Sequence, residues 1–407
     1  MRVAILSDSH LGFGHGSERY DDPFNAFSEA LEKAKGCDLV LIAGDIFDNK
    51  NPTTETLSNA MEALLGLRFS GNGATLATTI GRDIATLSPA STMGLPILAL
   101  HGNHERRAKG LVNPVHALEK AGLLIHLHCN GIVFKRGDEC IAVQGMSSVP
   151  EQYAEETMKQ WNPKPVPGAL NILMVHQIFS ELYQTPESIP VSMLPRGFDV
   201  YVDGDVHKPM RAECNGKPFI VAGSLVPTQQ TKDETEPKGI WILDTGMGEI
   251  QFLPLEDQRR FYFLEYPEPD RQAMERDIEH ILTKPHEKKP AIRIKTGHAF
   301  EWSSDLEMKY SANALLSFRS GESKRLEGVS LIEHIASVEE TAAKLLHANL
   351  EKAGLPQKAM EHAFELLAEG RGDDALKAVI EAVKVSKKNP RNDANALGQP
   401  DAFSPSV

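Results

Sequence analysis

The sequence has few cysteines, no long apolar run and no excess of positive charge, and each absence excludes a class of protein. It contains 4 cysteines in 407 residues and no CxxC pair, which argues against a thiolate zinc site and against a disulfide scaffold. No segment approaches the ~18 consecutive apolar residues of a membrane-spanning helix. The N-terminus has no long apolar region and no small-residue cleavage site, so we predict no signal peptide. These absences favour a reducing, cytoplasmic compartment.

The charge balance is acidic. Lys and Arg number 43 against 56 Asp and Glu, which gives a formal net charge of −13. This excludes a protein that coats nucleic acid through overall positive charge, although it leaves room for a local basic groove. Apolar residues make up 41% of the chain, enough for a large core. At roughly 150 residues per domain, the length predicts two or three domains.

Short apolar runs alternate with amphipathic helical patterns over residues 1–255. The runs that we interpret as buried strands are Val3–Leu6, Leu39–Ala43, Pro96–Leu100, Ile172–Val175 and Val200–Val202. Residues 132–146 and 240–253 each have the pattern of a β-hairpin. Strands that alternate with helices, together with hairpins, predict an α/β layered sandwich of mixed sheets flanked by helices.

Short sequence patterns predict two helix starts and one inserted segment. Asp22-Pro23 and Asn113-Pro114 each combine a capping residue with a proline at the first helical position. Residues 68–94 are rich in Ser, Thr, Gly and Ala and lack a strong period, so we predict an inserted surface loop with at most one short helix.

The remaining chain divides by pattern into three parts. Residues 256–327 contain strand-like pieces at 261–266 and 291–295 and are predicted to form a small α+β domain. Residues 328–387 have a helical pattern with apolar positions on either side of a Gly-Arg-Gly turn. The last residues, 388–407, are polar and contain proline, a composition typical of a disordered tail.

Polar side chains follow each of the five buried runs. These segments are Asp8-Ser9-His10, Gly44-Asp45-Ile46-Phe47-Asp48, Gly102-Asn103-His104-Glu105, His176-Gln177 and Asp203-Gly204-Asp205-Val206-His207. Loops at the carboxyl ends of strands converge, so we expect these side chains to form one cluster. Mixed nitrogen and oxygen ligands suit manganese, iron, zinc or magnesium. The five segments together offer at least seven such ligands, which are too many for one tetrahedral ion and favour two ions that share a carboxylate. Such a pair of ions can bind a phosphate diester and activate water.

Each fragment also has an ordinary structural interpretation. Asp45 could cap a helix, Asn103 could lie in a turn, and His176 alone is better explained as a core histidine. The five segments together, each at a strand end, are much harder to explain in this way.

The motifs D-S-H, G-D-x-x-D and G-N-H-E, with the distant H-Q and G-x-x-H, resemble the signature of the calcineurin-like metallophosphoesterases. Within that superfamily, residues 7–12, 44–48 and 101–104 resemble the nuclease subunit of the DNA double-strand-break repair complex. This is the meiotic-recombination nuclease family of archaeal and eukaryotic type, which has the bacterial relative SbcD. The motif resemblance covers about residues 1–255. Beyond residue 255 the chain resembles the family only in its architecture, a small domain followed by a helical segment.

The resemblance implies roles for individual residues. It implies Asp8, His10, Asp45 and His207 around one manganese ion. It implies a second ion that is bridged by Asp45, is held by Asn103 and His176, and is completed by position 205. His104 would be the catalytic histidine that stabilises or protonates the leaving oxygen. The metallophosphoesterase fold would carry a capping domain at 256–327 and a helical segment at 328–387 that docks a partner.

Two positions depart from the family pattern, which usually has histidine at both. Asp205 can still bind a metal ion but adds negative charge, which should weaken the Lewis acidity of the second ion. Asp48 stands where the family residue assists phosphate positioning, and we assign it to the catalytic set with a water-bridged or metal-facing role.

The resemblance therefore implies a manganese-dependent DNA nuclease in double-strand-break repair, cytoplasmic and nucleoid-associated in a prokaryote. Its partners would be double- and single-stranded DNA ends bound without sequence preference, a coiled-coil ABC-type ATPase, and a second copy in a homodimer. Basic candidates for DNA contact are Arg106, Arg107, Lys109, Lys284, Lys288, Lys289, Arg293 and Lys295. Two alternatives stay open: a phosphoesterase for small phosphate esters, and a catalytically weak scaffold of the repair complex.

Overall fold

The computed structural model describes residues 1–71, 73–107, 111–183, 185 and 188–320, all within one compact unit, Met1–Arg325. The predicted helical segment 328–387, the predicted tail 388–407 and Lys109 lie outside the described residues. No helix within the described ranges is long and apolar enough to cross a membrane.

The chain alternates strands and helices. The strands are β1 (Arg2–Leu6), β2 (Leu39–Ile42), β3 (Thr75–Ile80), β4 (Ile97–Ala99), β5 (Ile125–His126), β6 (Asn130–Arg136), β7 (Glu139–Met146), β8 (Leu170–Val175), β9 (Val200–Asp203), β10 (Met210–Cys214), β11 (Lys217–Val221), β12 (Gly239–Asp244), β13 (Glu249–Pro254), β14 (Phe261–Tyr266), β15 (Ala291–Thr296) and β16 (Leu315–Ser320). The α-helices are α1 (Asp22–Ala34), α2 (Thr54–Arg68), α3 (Pro114–Lys120), α4 (Glu151–Trp161), α5 (Arg271–Leu282) and α6 (Ser303–Tyr310).

Two mixed sheets form the larger part of the unit. The first has the order β13-β12-β1-β2-β4-β5, and the second has the order β10-β11-β9-β8-β7-β6-β3. In the first sheet β1, β2, β4 and β5 run parallel, and in the second β7, β8, β9 and β11 run parallel. The predicted α/β sandwich of mixed sheets flanked by helices is therefore confirmed.

Strand β1 shows why the sheets stack. Val3 and Ile5 belong to the core between the two sheets, while Ala4 and Leu6 belong to a second core that includes residues of α1 and α2. Both faces of the strand are buried because successive side chains point to opposite faces. The five predicted strands and both hairpins are present.

Two local predictions are wrong in detail. Residues 75–80 form an edge strand, β3, which pairs antiparallel with β6, so the segment 68–94 is not only a loop. Its Thr-rich, largely exposed side chains give no apolar run. At α1 the capping position is Asp21 and not Asp22, whose carboxylate instead pairs with Arg19 and Arg259. The Asn113 cap is as predicted, since its side chain accepts from the amide of His116 at 2.7 Å.

Residues 261–320 form a third, smaller sheet. Its strands β14, β15 and β16 are all parallel, and α5 and α6 connect them. Met274, Ile278 and Ile281 form the apolar stripe of α5, and they are buried with Ile292 and Ile294 of β15.

Candidate metal centre

The loops after β1, β2, β4, β8 and β9 converge at one edge of the two sheets. The amide of Asp8 donates to the carbonyl of Gly44 at 3.0 Å, and the amide of His10 donates to the carbonyl of Asp45 at 3.0 Å. His104 donates its amide to Oδ1 of Asp45 at 3.0 Å. Hydrogen bonds donated by backbone amides thus join segments that are far apart in the sequence.

Several site residues have a left-handed backbone that non-glycine residues rarely adopt. The φ angles are 50° at Asp8, 47° at His10, 43° at Asp45 and 72° at Asp205. Such strain persists only where the surrounding structure fixes it, and it is concentrated at functional sites. Here the hydrogen bonds between the loops fix it.

The glycines of the motifs allow close approach. A Cβ atom at Gly102 would lie 1.9 Å from Oδ1 of Asp45, and one at Gly44 would lie 2.1 Å from Nδ1 of His176. Both positions therefore need glycine so that the loops can meet around Asp45.

Three overlapping groups of side chains offer ligand atoms that lie within 4.8 Å of one another. The groups are Asp8 with His10 and His207, His10 with Asp45 and His104, and Asp8 with Asp45 and His176. Asp8, His10 and Asp45 each belong to two of the three groups, so the groups share their ligand atoms. The side chains of Asp8, His10, Asp45 and His176 are almost completely buried.

The imidazoles are fixed with Nε2 available. Nδ1 of His176 donates to the carbonyl of Ala43 at 2.7 Å, and Nδ1 of His104 donates to the carbonyl of Asp48 at 2.6 Å. Nδ1 of His10 lies 3.4 Å from Oδ1 of Asp48. In His176 and His104 the donating proton is on Nδ1, so Nε2 keeps its lone pair, the form that binds a metal ion.

The spacing of two imidazoles fits a shared cation. Nε2 of His10 lies 3.1 Å from Nε2 of His207. A proton on one Nε2 can be donated to the other at this distance, and when both lone pairs are free the two atoms can share a cation. Nitrogen ligands lie about 2.0–2.1 Å from zinc, so two nitrogens about 3 Å apart can bind the same ion.

Unpaired buried atoms point to the same conclusion. Oδ1 of Asp8, Oδ1 of Asn103 and Nε2 of His176 are buried and have no hydrogen-bond partner in the described chain. Buried polar atoms are almost always satisfied, so these three atoms are available to bind a ligand at the cluster. The donor set of carboxylate, amide oxygen and imidazole fits a divalent ion of borderline hardness.

The buried carboxylates and imidazoles of the cluster shift one another's pKa values. Burial alone would raise the pKa of Asp45, but the imidazoles of His104 and His176 outweigh it and hold that pKa below its usual range. Burial alone would lower the pKa of His176, yet the Asp45 carboxylate raises it well above the ordinary value. Burial raises the pKa of Asp205, with Asp45 and Asp8 adding to the shift.

The two positions that depart from the family pattern lie at the margin of the cluster. Asp205 donates its backbone amide to Oδ2 of Asp8 at 3.3 Å, but none of the ligand groups found among the described residues includes its carboxylate. Asp48 is 28% exposed and contacts His10 and His104. Asn103 lies between Gly102 and His104 in the sequence, and its amide oxygen is buried.

Comparison with known proteins identifies the fold of this site. The sequence profile of the calcineurin-like phosphoesterases matches residues 1–209, about half of the chain. The chain belongs to this family. As a calcineurin-like phosphoesterase it is a hydrolase of phosphate esters, and divalent metal binding is a property of its fold.

The similar proteins extend the resemblance seen in the motifs and confirm it. The "DNA double-strand break repair protein Mre11" of Methanopyrus kandleri is 28% identical over 65% of this phosphoesterase and 59% of that protein. The "Double-strand break repair protein mus-23" of Neurospora crassa is 25% identical over 64% and 40%. The Mre11 protein of Saccharolobus solfataricus is 24% identical over 60% of each chain. The phosphoesterase thus spans about half the length of these relatives.

The phosphoesterase site contains further buried carboxylates to which the sequence assigns no role, and Glu105 and Glu234 are two of them. Glu105 accepts the amides of Phe47 at 2.8 Å and Gly102 at 2.9 Å, and so joins two motif loops; burial and the Asp45 charge raise its pKa to about 8. Glu234 accepts from Nδ1 of His207 at 3.0 Å. Burial opposes ionisation of Glu234, but His207 and Lys238 lower its pKa to about 2. Glu105 is part of a recognised motif, whereas Glu234 lies in a polar stretch with no sequence signal.

Proposed function

We propose that the chain is a manganese-dependent DNA nuclease that processes ends in double-strand-break repair. The observation that carries the proposal is the buried pair of Nε2 atoms, 3.1 Å apart, beside the carboxylates of Asp8 and Asp45 from two separate loops. The similar proteins named for double-strand-break repair supply the substrate class.

Seven side chains would hold two ions. Asp8, His10 and His207 would bind the first ion, Asn103 and His176 the second, Asp45 would bridge the two, and Asp205 would complete the second set. Manganese is the proposed metal, with magnesium, iron or zinc as other ions that the same ligands accept. When bound, such a pair of ions supplies a water of lowered pKa and neutralises charge on a phosphodiester.

His104 is placed to act on the leaving oxygen. Its Nδ1 is held by the Asp48 carbonyl, which leaves Nε2 for the substrate. Burial alone would lower the pKa of His104, but the carboxylate of Asp45 and the carbonyl of Asp48 raise it above the ordinary value. A raised pKa favours the protonated ring, which can donate a proton to the departing oxygen.

The partners belong to the proposal as well. Arg106 and Arg107 follow the motif of His104 and would contact phosphates of double- or single-stranded DNA ends without sequence preference. The segment 328–387 would dock the coiled-coil ABC-type ATPase of the repair complex, with 1–255 as the nuclease domain and 256–327 as the cap. A second copy of the chain would complete a homodimer.

The test is hydrolysis by the purified full chain, with and without manganese, of double-stranded ends, single-stranded DNA and an aryl phosphodiester. We expect manganese-stimulated DNA cleavage that falls by ~10²–10⁴-fold in His104→Ala. Bound manganese, measured by elemental analysis, should stay as in the wild type. The matched control is His116→Ala, a histidine of α3 whose side chain is 38% exposed.

Two outcomes would contradict the proposal. Cleavage of the aryl ester alone would indicate a phosphoesterase for small substrates. Metal binding without hydrolysis of any substrate would indicate a scaffold in which Asp48 and Asp205 have weakened catalysis.

A further inference from the structure

Behind His207 lies a buried network that the proposed chemistry does not use. Oε1 of Glu234 accepts from Nδ1 of His207 at 3.0 Å, on the side of the ring opposite the metal-facing Nε2. Glu234 is 3% exposed and lies in a short 3₁₀ turn, Lys232–Thr235. The two residues are therefore paired in the interior and not at the surface.

The Glu234 carboxylate is held from several sides. It accepts the amide of Thr228 at 3.1 Å on Oε1 and the amide of Gln230 on Oε2. Nζ of Lys238 lies 3.7 Å from Oε1 and donates to the carbonyl of His207 at 2.9 Å. Lys238 is 2% exposed, so the interior contains both charges of the pair.

We propose that Glu234 is a positioning residue that holds His207 as the Nδ1–H tautomer, with Nε2 directed at the ligand atoms of Asp8 and His10. Lys238 supplies the opposite charge that keeps this carboxylate in the interior. The inference rests on the metal centre proposed above and names a determinant of that centre outside the ligand set.

The chemistry of the network requires a carboxylate. Three N–H groups, from His207, Thr228 and Gln230, point at one side chain. A carboxylate has only acceptor atoms and satisfies all of them, whereas an amide would turn N–H groups towards at least one donor. The loop of residues 228–234 is also attached to the third sheet, because the Gln230 side chain accepts from Oγ of Ser317 in β16 at 2.7 Å.

The test compares wild type, Glu234→Gln and the charge-neutral double variant Glu234→Gln/Lys238→Met in the full chain. Long-range ¹H–¹⁵N spectra of metal-free, ¹⁵N-histidine-labelled protein report the tautomer of His207, whose signal is assigned with His207→Gln. Calorimetric titration with manganese chloride reports affinity. We expect a weaker preference for the Nδ1–H form in both variants, in which Oγ1 of Thr228, 3.2 Å from the same Nδ1, remains as the second acceptor, and ~10–100-fold weaker manganese binding.

The double variant guards against misfolding, since it leaves no unpaired buried charge. Glu236→Gln, an exposed carboxylate two residues away, is the matched control and should behave as wild type. A folded double variant with the wild-type tautomer and the wild-type manganese affinity would overturn the inference. A wild type that binds no manganese would instead contradict the proposed function, while the tautomer readout would still decide the role of Glu234.

Discussion

At the scale of single residues, the site depends on positions where no side chain fits. Gly102 has no space for a methyl group, because its Cβ would lie 1.9 Å from Oδ1 and 2.6 Å from the amide nitrogen of Asp45. Gly102→Ala must displace the Asp45 carboxylate. We expect at least tenfold weaker manganese binding in calorimetry and a loss of about 1–3 kcal/mol in the free energy of unfolding.

Gly66→Ala is the control for that substitution. Gly66 lies inside α2 with open space around its Cβ position, so alanine there should stabilise the chain by roughly 0.5–1 kcal/mol. If Gly102→Ala bound manganese with wild-type affinity, the prediction would be wrong, because the Asp45 loop would then be free to move away from the added methyl group.

A histidine pair outside the ligand set predicts a pH effect. Nδ1 of His101 lies 2.9 Å from Nε2 of His126, and burial, with His101 and His128 adding to it, lowers the pKa of His126 well below its ordinary value. Below about pH 6.5 the unfolded chain therefore binds a proton at His126 that the folded chain does not. His126 therefore contributes to the free energy of unfolding above about pH 6.5, and this contribution is lost as the pH falls below that value.

The comparison of wild type with His126→Gln isolates this site from the other titrating groups. Between pH 6.5 and 5, urea unfolding should show the wild type losing stability relative to the variant, by at most about 1.4 kcal/mol per pH unit. A difference between the two proteins that does not change with pH would mean that His126 is protonated in the folded chain as readily as in the unfolded one.

At the scale of elements, the side chain of Arg259 joins α1 to the third sheet. It donates to both carboxylate oxygens of Asp22, at 2.7 and 3.1 Å, and to the carbonyls of Glu18 and Lys289 at 2.8 and 2.7 Å. Removing it leaves the buried Asp22 carboxylate with Arg19 alone, at 3.5 Å, and takes the donor from both carbonyls. In Arg259→Ala we expect chemical denaturation to show a loss of about 3 kcal/mol.

Arg260→Ala is the neighbouring control for Arg259. Arg260 is exposed, and only its backbone carbonyl, which the substitution keeps, pairs with Ala291 of β15. Equal stability changes in the two variants would refute the joining role of Arg259.

The elements also show which parts of the structure a sequence can predict. The buried strands that lead to the site are short apolar runs, so their ends, and the polar residues after them, were predictable. Strand β3 was not, because an exposed edge strand rich in Thr has no apolar run. Glu234 was not, because it lies 27 positions from His207 in a polar loop, and only the folded chain brings the two together.

At the scale of the whole molecule, a net charge of −13 opposes the approach of DNA. Binding to a polyanion then depends on local cations that outweigh this background at short range. Arg106 and Arg107 are half-buried beside the His104 motif, where Arg106 contacts Oγ of Ser148 at 3.4 Å and Arg107 contacts the carbonyl of Val112 at 3.4 Å. Their guanidinium groups are the described cations nearest in sequence to the proposed catalytic histidine.

The double variant Arg106→Glu/Arg107→Glu should therefore weaken DNA binding and reduce its dependence on salt. The plot of log affinity against log salt concentration should become shallower by roughly 1.8, since each phosphate contact contributes about 0.9 to the slope. Lys120→Glu/Lys159→Glu makes the same change in net charge at exposed positions of α3 and α4. If fluorescence anisotropy on a short duplex gave equal slopes for the two double variants, net charge alone would govern binding, and the arginines would not contact phosphate.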